Sequence, residues 1–188
     1  MKTGKLIILS APSGSGKTTI MKRVVKAFPQ LEFSISATSR APRGAEEHGV
    51  DYYFVTAAQF VKDAEAGAFV EWEEVYSGTH YGTLHSELER IWAKGNTIIF
   101  DVDVKGGVNL KRIFGDQALS IFIMPPSVET LRERLVARGT DSPEAIEKRV
   151  AKAEEEMRYA PQFDKVVVND DLTTAIAEVE DAICEFIN

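Results

Sequence analysis

A short glycine-rich loop between an apolar run and an amphipathic stretch constrains the fold of this chain more than any other feature. Residues 5–10, KLIILS, form a branched apolar run that is typical of a buried parallel strand. Residues 11–19 then read APSGSGKTT, and residues 20–28 carry apolar side chains at helical spacing before Pro29. The sequence therefore predicts a strand, a tight loop and a helix in that order.

A loop in this context has the properties of a phosphate-binding site. Backbone N–H groups at a helix N-terminus bind anions, and glycines allow the close approach that a side chain would block. Lys17 can reach the β- and γ-phosphates of a nucleoside triphosphate, and the Thr18 hydroxyl can ligate Mg²⁺. The usual pattern begins with glycine, but Ala11 is small and lies where the strand ends, so we expect a working site. The residues predicted to hold the phosphates are Ala11, Pro12, Ser13, Gly14, Ser15, Gly16, Lys17 and Thr18.

Three later runs resemble the first strand, and they predict the fold class. Residues 97–102, 119–124 and 165–169 are short and rich in branched apolar side chains, and helical patterns separate them. This alternation is the signature of an α/β protein with a doubly wound parallel sheet.

Two carboxylates follow the run that begins at residue 97. A nucleotide site needs a carboxylate near its magnesium ion, commonly at the end of a strand beside the loop. Asp101 and Asp103 fall there, and strand alternation predicts that they share one side, with Val102 opposite.

Two insertions interrupt the alternation of strands and helices. Residues 33–82 mix strand-like segments with a helix at 57–66, where Thr56 and Gln59 fit a capping box. Residues 127–158 form two charged helices that we expect to be polar on nearly all faces and mobile, the second starting at Ser142 and Pro143. The chain is thus predicted to be one domain, whose core comprises residues 1–32, 83–126 and 159–188.

Composition limits the partners and the compartment. The formal net charge of −7 argues against general nucleic-acid binding, which needs a basic surface. Cys184 is the one cysteine of the chain, so we expect no internal disulfide, a reducing compartment and a small core side chain at this position. No apolar run is long enough for a signal peptide or a membrane span, so a cytoplasmic location without membrane partners is predicted.

Longer segments carry a resemblance to a known family. In order along nearly the whole chain, they read SAPSGSGKTT, SATSRAPRGAEEHGVDYYFV, FVEWEEVYSGTHYGT, IIFDVDVKGG, PPSVETLRERLVARGTDS and VVVNDDL. Together they resemble the guanylate kinases of bacteria. The resemblance implies a P-loop NTPase core with an inserted α+β subdomain for the nucleoside monophosphate (33–82) and a helical lid (127–158). It also implies transfer of phosphate from ATP to GMP, with Mg²⁺ accompanying ATP, and it leaves a homo-oligomer open.

The resemblance assigns the phosphate of GMP to arginines and tyrosines. Arg40 and Arg43 match the arginines that hold it, and guanidinium forks suit a phosphate monoester because they bond bidentately and stay charged. Tyr52 and Tyr81 match tyrosines that donate hydroxyls to the same group.

The resemblance also implies which residues recognise guanine. Glu71 matches the carboxylate that accepts the N1–H and N2–H₂ donors, and Ser36 and Thr83 match hydroxyls at the base. Asp103 matches a second carboxylate near the base amino group, and Asp101 matches one near the metal and the phosphates.

Arginines in the predicted lid complete the implied site. Arg134, Arg138 and Arg149 could converge on the transferred phosphoryl group, although arginines on charged helices usually pair with nearby glutamates. The resemblance implies a catalytic set, which consists of Lys17, Arg40, Arg138 and Arg149. It further implies that Arg134 contacts ATP and that Asn169 holds the adenine ring.

Other functions on the same scaffold stay open at this point. A kinase for AMP, CMP or a phosphoribosyl acceptor is disfavoured because the Glu71 carboxylate would repel the N1 acceptor of adenine. A guanylate-kinase-like scaffold module, which binds phosphoprotein segments without catalysis, typically lacks the intact loop that residues 11–18 provide. A regulatory GTPase would need a guanine motif of the Asn-Lys-x-Asp type, which the sequence does not contain.

Overall fold

The computed structural model describes residues 4–76, 78–139 and 141–188 and contains two β-sheets flanked by helices. Residues 1–3, 77 and 140, which the sequence assigns to the core, the insertion and the lid, lie outside these ranges. The strands are β1 (Leu6–Ser10), β2 (Leu31–Phe33), β3 (Ala37–Thr38), β4 (Tyr53–Phe54), β5 (Phe69–Tyr76), β6 (Thr79–Leu84), β7 (Thr97–Asp101), β8 (Ala118–Met124) and β9 (Lys165–Val168). The α-helices are α1 (Lys17–Ala27), α2 (Ala57–Glu65), α3 (His85–Ala93), α4 (Val104–Phe114), α5 (Val128–Arg138), α6 (Pro143–Met157) and α7 (Leu172–Ile187).

The larger sheet is parallel throughout and has the strand order β2-β7-β1-β8-β9. Alternate residues of β1 enter two different cores: Ile7 and Leu9 pack with α1 and α7, whereas Leu6 and Ile8 pack with α3 and α4. Because both faces are covered, the strands are apolar on both sides, as the sequence predicts. The doubly wound α/β fold is confirmed, and the carboxyl ends of β1 and β7 lie side by side.

The smaller sheet has the order β4-β3-β6-β5 and belongs to the first insertion. Phe60 of α2 is fully buried and stacks on Phe69 with ring centroids 4.4 Å apart. The Thr56 hydroxyl accepts a hydrogen bond from the backbone N–H of Gln59, which is half of the predicted capping box. The Gln59 side chain instead donates to Asp63, so the reciprocal half does not form.

The two helices of the second insertion, α5 and α6, share an apolar core. The Ser142 hydroxyl accepts a hydrogen bond from the N–H of Ala145, and Pro143 is the first helical residue, which confirms the predicted start of α6. The expectation that these helices are polar on nearly all faces is wrong, because one side of each contributes to a buried cluster. Its members are Leu131, Leu135, Ile146, Val150 and Ala153.

The prediction that Cys184 is a core residue is also wrong. On α7 the buried stripe runs through Ala175, Val179 and Ile183, and the next residue, Cys184, points to solvent. A rotation of about 100° per residue is enough to move a side chain off the packed face. Over the described ranges, no helix is long and apolar enough to cross a membrane.

Candidate active site

The phosphate-binding loop joins β1 to α1, and two of its glycines have positive φ. Gly14 has φ 94° and Gly16 has φ 91°, backbone angles that other L-residues adopt with strain. A Cβ on Gly16 would lie 2.3 Å from Nδ2 of Asn169, and one on Gly14 would press on Leu131 and Leu135 of α5. Both glycines are therefore required by conformation and by close packing.

Ala11 shows why this loop works without a first glycine. It is 8% exposed and packs in the same core cluster as Ile7 and Leu9. Among the described residues other than glycine, none has positive φ, so the backbone at Ala11 makes no demand that only glycine could meet. Its methyl group fills core space at the end of β1.

Lys17 extends from the first turn of α1 to the end of β7. Its Nζ lies 2.5 Å from Oδ1 of Asp101 and donates to the backbone carbonyl of Val102 at 2.9 Å. The lysine of the loop and the carboxylate that the sequence predicts at the end of β7 are therefore neighbours at one edge of the sheet.

Asp101 and Asp103 both line the cleft above this edge, but for a different reason than strand alternation. The strand ends at Asp101, and Asp103 is the N-cap of α4, where its Oδ1 accepts from the N–H of Gly106 at 2.7 Å. The backbone carbonyl of Val102 accepts from Lys17, whereas its side chain packs against the core cluster that contains Leu6 and Ile8, which agrees with the predicted separation from the two carboxylates.

This cleft has a volume of about 840 Å³ and runs along the phosphate-binding loop. Its walls include all the loop residues from Ala11 to Thr18, together with Ser36, Tyr52, Arg134 and Arg138. The structure thus brings together residues from the core, the first insertion and the lid.

A second cavity of about 290 Å³ opens beside it, under the smaller sheet. Predicted GMP-site residues form much of its lining, namely Ser36, Tyr52, Glu71, Tyr81, Asp101 and Asp103. Since Asp101 and Asp103 line both spaces, the two cavities adjoin.

Glu71 is the most perturbed carboxyl group of this cavity. Burial raises its pKa from 4.5 to about 7, and repulsion by Glu73 and Asp103 adds to the effect. The hydroxyl of Thr83, which is 1% exposed, donates to Oε1 of Glu71 at 2.8 Å and opposes the shift. A carboxyl group that gives up water without gaining a cation is suited to bind a ligand with hydrogen-bond donors.

Arg40 lies behind the two tyrosines of the cavity. Its Nε donates to the Tyr81 hydroxyl at 3.0 Å, and its guanidinium stacks over the Tyr52 ring at 4.9 Å. The end of the guanidinium forms a bidentate ion pair with Glu46. The side chain of Arg43 is exposed, and its backbone N–H donates to the same Glu46 carboxylate.

The lid arginines have different surroundings in this structure. Arg134 donates from Nη2 to the carbonyl of Asn169 at 2.8 Å, and Arg138 is exposed on the cleft wall. Nη1 of Arg149 lies 2.9 Å from Oδ2 of Asp141, so this side chain forms an ion pair within the lid. Asn169 is 5% exposed and donates to the carbonyl of Ser15, so its amide holds the loop from below.

Sequence reasoning missed two acidic residues around the first insertion. Glu46 lies in the segment SATSRAPRGAEEHGVDYYFV, but the sequence alone assigns it no role. Glu87 is 2% exposed and accepts hydrogen bonds from Arg90, the backbone of Ile35 and the hydroxyl of Tyr53. The one available signal for Glu87 is its position four residues before Ile91 on the apolar face of α3.

A parallel sheet whose first strand leads into a glycine-lysine loop, with an adjoining polar cavity under an inserted sheet, defines a P-loop nucleotide kinase. The profile of the guanylate kinase family matches residues 3–186. The chain is 56% identical to the guanylate kinase of Bacteroides thetaiotaomicron over 186 residues, which cover 99% of this chain and 91% of that one. The guanylate kinase of Porphyromonas gingivalis is 54% identical over 184 residues, with 97% and 98% coverage.

A solved structure agrees with these relatives. The crystal structure of the guanylate kinase from Anaplasma phagocytophilum superimposes with a TM-score of 0.72 at 30% identity, covering 100% of this chain and 86% of that one. The chain therefore belongs to the guanylate kinase family. This confirms the family and the fold that the sequence segments imply, whereas the roles of individual side chains stay predictions.

Proposed function

We propose that this protein transfers the γ-phosphoryl group of ATP to GMP, producing ADP and GDP. The observation that carries the proposal is the pair of adjoining cavities, one along the loop from Ala11 to Thr18 and one containing Glu71. The shared wall of Asp101 and Asp103 would bring the ends of two bound nucleotides close together. Such proximity supplies a large part of the rate enhancement in a two-substrate reaction.

Glu71 would select guanine in the second cavity. Its two carboxylate oxygens can accept from N1–H and N2–H₂, donors that guanine has on one edge and adenine lacks there. The Ser36 hydroxyl lines the same cavity and can donate to O6. Thr83 would orient Glu71, because its hydroxyl already donates to that carboxylate.

The phosphate of GMP would lie at the opposite end of this cavity, near Tyr52 and Tyr81. Tyr81 is hydrogen-bonded to Arg40, so a phosphate that accepts from the tyrosine hydroxyl also meets the guanidinium. Arg43 is exposed nearby and is free to turn towards the same group. A dianionic phosphate beside guanidinium groups forms charge-assisted hydrogen bonds.

The donor phosphates would bind along the loop, where Lys17 can exchange the Asp101 carboxylate for a phosphate oxygen. Within the described ranges, no group of three or more His, Cys, Asp or Glu side chains forms a ready-made metal site. Thr18 and Asp101 nevertheless offer the hard oxygen donors that suit Mg²⁺ bound to ATP, with Asp101 acting through water. When bound, Mg²⁺ would neutralise charge on the phosphates.

Transfer then needs no protein nucleophile. An oxygen of the GMP phosphate forms a bond to the γ-phosphorus while the bond from that phosphorus to ADP breaks. Lys17, Arg40, Arg138 and Arg149 would stabilise the charge that spreads over the transferred group. Arg134 and Asn169 would remain on the ATP side, and closure of residues 127–158 would exclude water from the reaction.

The proposed setting is the reducing cytoplasm and purine nucleotide metabolism, with ATP and GMP as the partners. This agrees with the absence of a disulfide framework in a chain with one cysteine. A homo-oligomer is compatible with the proposal.

An acceptor series tests the proposed function. ADP release from ATP is measured with GMP, dGMP, AMP, CMP or UMP as acceptor under identical conditions. We expect kcat/KM for GMP to exceed that for AMP by about 10⁴, because buried polar groups built for one hydrogen-bond pattern reject the wrong one. Comparable turnover of AMP would contradict guanine selection, and no turnover with any acceptor would indicate a scaffold module.

A further inference from the structure

Glu46 holds the guanidinium of Arg40 by its end. Oε2 of Glu46 lies 2.6 Å from Nη1 of Arg40, and Oε1 lies 2.8 Å from Nη2. The same Oε2 accepts the backbone N–H of Arg43 at 2.7 Å. The hydrogen bonds from Arg40 have the largest effect on the pKa of Glu46, and with the one from Arg43 they lower it from 4.5 to about 2. The carboxylate is therefore charged in the folded protein at neutral pH.

The remaining donors of Arg40 are fixed in a definite arrangement. A guanidinium has five N–H groups. Besides the two that bind Glu46, one on Nη1 donates to the carbonyl of Ala41 at 3.0 Å, and Nε donates to the Tyr81 hydroxyl at 3.0 Å. The fifth is on Nη2, which together with Nε forms the side-on edge of the guanidinium, and a hydrogen bond with Arg40 also acts on the Tyr52 hydroxyl. This edge faces Tyr81, which lines the cavity that contains Glu71.

The rings beneath the guanidinium complete the fixation. Arg40 lies over Tyr52 at 4.9 Å and over Phe54 at 5.6 Å, and its side chain is 10% exposed. An arginine that is stacked and held at one edge loses little further freedom when an anion binds to its other edge.

We propose that Glu46 is a positioning residue for the acceptor phosphate. By occupying the end-on edge of Arg40, it keeps the side-on edge and the Tyr81 hydroxyl together as one preformed phosphate site. The inference rests on the proposed function. It also explains why a carboxylate lies beside a site for an anion: the repulsion it adds is outweighed by the orientation that it gives to the arginine.

The test compares Glu46→Gln with Glu47→Gln, a matched control at the next position, where the side chain is exposed. Binding of GMP and of guanosine, which lacks the phosphate, is measured by titration calorimetry. We expect Glu46→Gln to weaken GMP binding by about tenfold to a hundredfold, the worth of a charge-assisted bidentate contact, and to leave guanosine binding unchanged. Glu47→Gln should bind both ligands as the unmodified protein does.

Steady-state kinetics and a second variant separate positioning from a general structural role. The KM for GMP should rise by about the same factor while the KM for ATP stays constant. Glu46→Asp, one methylene shorter, should restore part of the affinity, and it serves as the test variant if Glu46→Gln does not fold. In an Arg40→Lys background, Glu46→Gln should add little, because lysine has no planar edge to be held.

Two results would overturn the inference. Unchanged GMP binding in both Glu46 variants would show that Arg40 needs no partner. Tighter GMP binding in Glu46→Gln would show that the carboxylate competes with the phosphate for the arginine. If the unmodified protein does not bind GMP at all, the proposed function itself fails, which is a different outcome from either of these.

Discussion

Replacing Glu71 by glutamine should make the protein more stable at pH 8 while it impairs the reaction. Glutamine keeps the shape of the side chain and an oxygen for the Thr83 hydroxyl, but it removes a charge that burial disfavours. The pKa of Glu71 is raised from 4.5 to about 7. With 1.36 kcal/mol for each pKa unit, ionising this carboxyl in the folded protein costs roughly 3 kcal/mol more than in the unfolded chain.

The sign of the pH dependence follows from which state binds the proton more tightly. Between pH 4.5 and about 7 the folded protein keeps the Glu71 proton, whereas the unfolded chain releases it. The stability from this proton is therefore complete below pH 4.5 and is lost as the pH rises through 7. The difference between the glutamine variant and the unmodified protein should grow from near zero at pH 4.5 to about 3 kcal/mol at pH 8.

Urea unfolding at pH 5 and pH 8 measures this difference. Glu89→Gln, an exposed substitution on α3, is the matched control and should leave the free energy of unfolding unchanged at both pH values. If Glu71→Gln is no more stable than the unmodified protein at pH 8 while the control behaves as expected, ionisation of Glu71 does not destabilise the folded protein.

The same substitution should separate stability from activity. Losing a carboxylate that accepts two donors of guanine should lower kcat/KM for GMP by about 10²–10⁴, or roughly 3–6 kcal/mol. In the unmodified protein, GMP should bind more tightly as the pH rises from 6 to 8, because only the ionised carboxyl can accept both donors.

Two further substitutions test the loop and the base of the inserted sheet. Lys17→Ala should lower the rate of phosphoryl transfer by at least about 10³ in a coupled ADP assay. GMP binding measured by calorimetry should stay within about twofold, because the lysine contacts the phosphates of ATP and not GMP. Persistent activity would refute this role. Glu87→Gln should cost about 2–4 kcal/mol in urea unfolding at pH 7, because partners including Ile35, Tyr53 and Arg90 lose a buried carboxylate. Burial alone would raise the pKa of Glu87, but these hydrogen bonds lower it overall. The stability that Glu87 contributes to the folded protein is therefore present above pH 4.5 and is lost as the pH falls through the lowered pKa. Below pH 4.5 the Glu87→Gln variant should lose less stability than the unmodified protein does.

The core of the fold could be predicted because its signals are local. The strand at Leu6–Ser10 and the helix at Lys17–Ala27 follow from apolar runs, spacing and glycines that lie within a few residues of one another. The caps at Ser142 and Thr56 are predictable for the same reason, since a cap depends on residues three positions apart.

The contacts that position the site could not be predicted, because they join distant parts of the chain. Glu71 and Thr83 meet only because β5 and β6 pair, and the amide of Asn169 reaches the loop across more than 150 residues. Arginines on charged helices are expected to pair with nearby glutamates, whereas the structure pairs Arg149 with Asp141. Asp103 lines the same cleft as Asp101, as predicted, but a helix cap determines its direction because the strand ends at Asp101.

Direct transfer of the γ-phosphoryl group to GMP, in preference to AMP and to water, is the step on which the proposed function depends. ATP labelled with ³²P in the γ-phosphate is supplied with an equimolar mixture of GMP and AMP, and the products are separated. We expect the label to appear as the β-phosphate of GDP. Label in ADP, which only transfer to AMP can produce, or label released mainly as inorganic phosphate would contradict it.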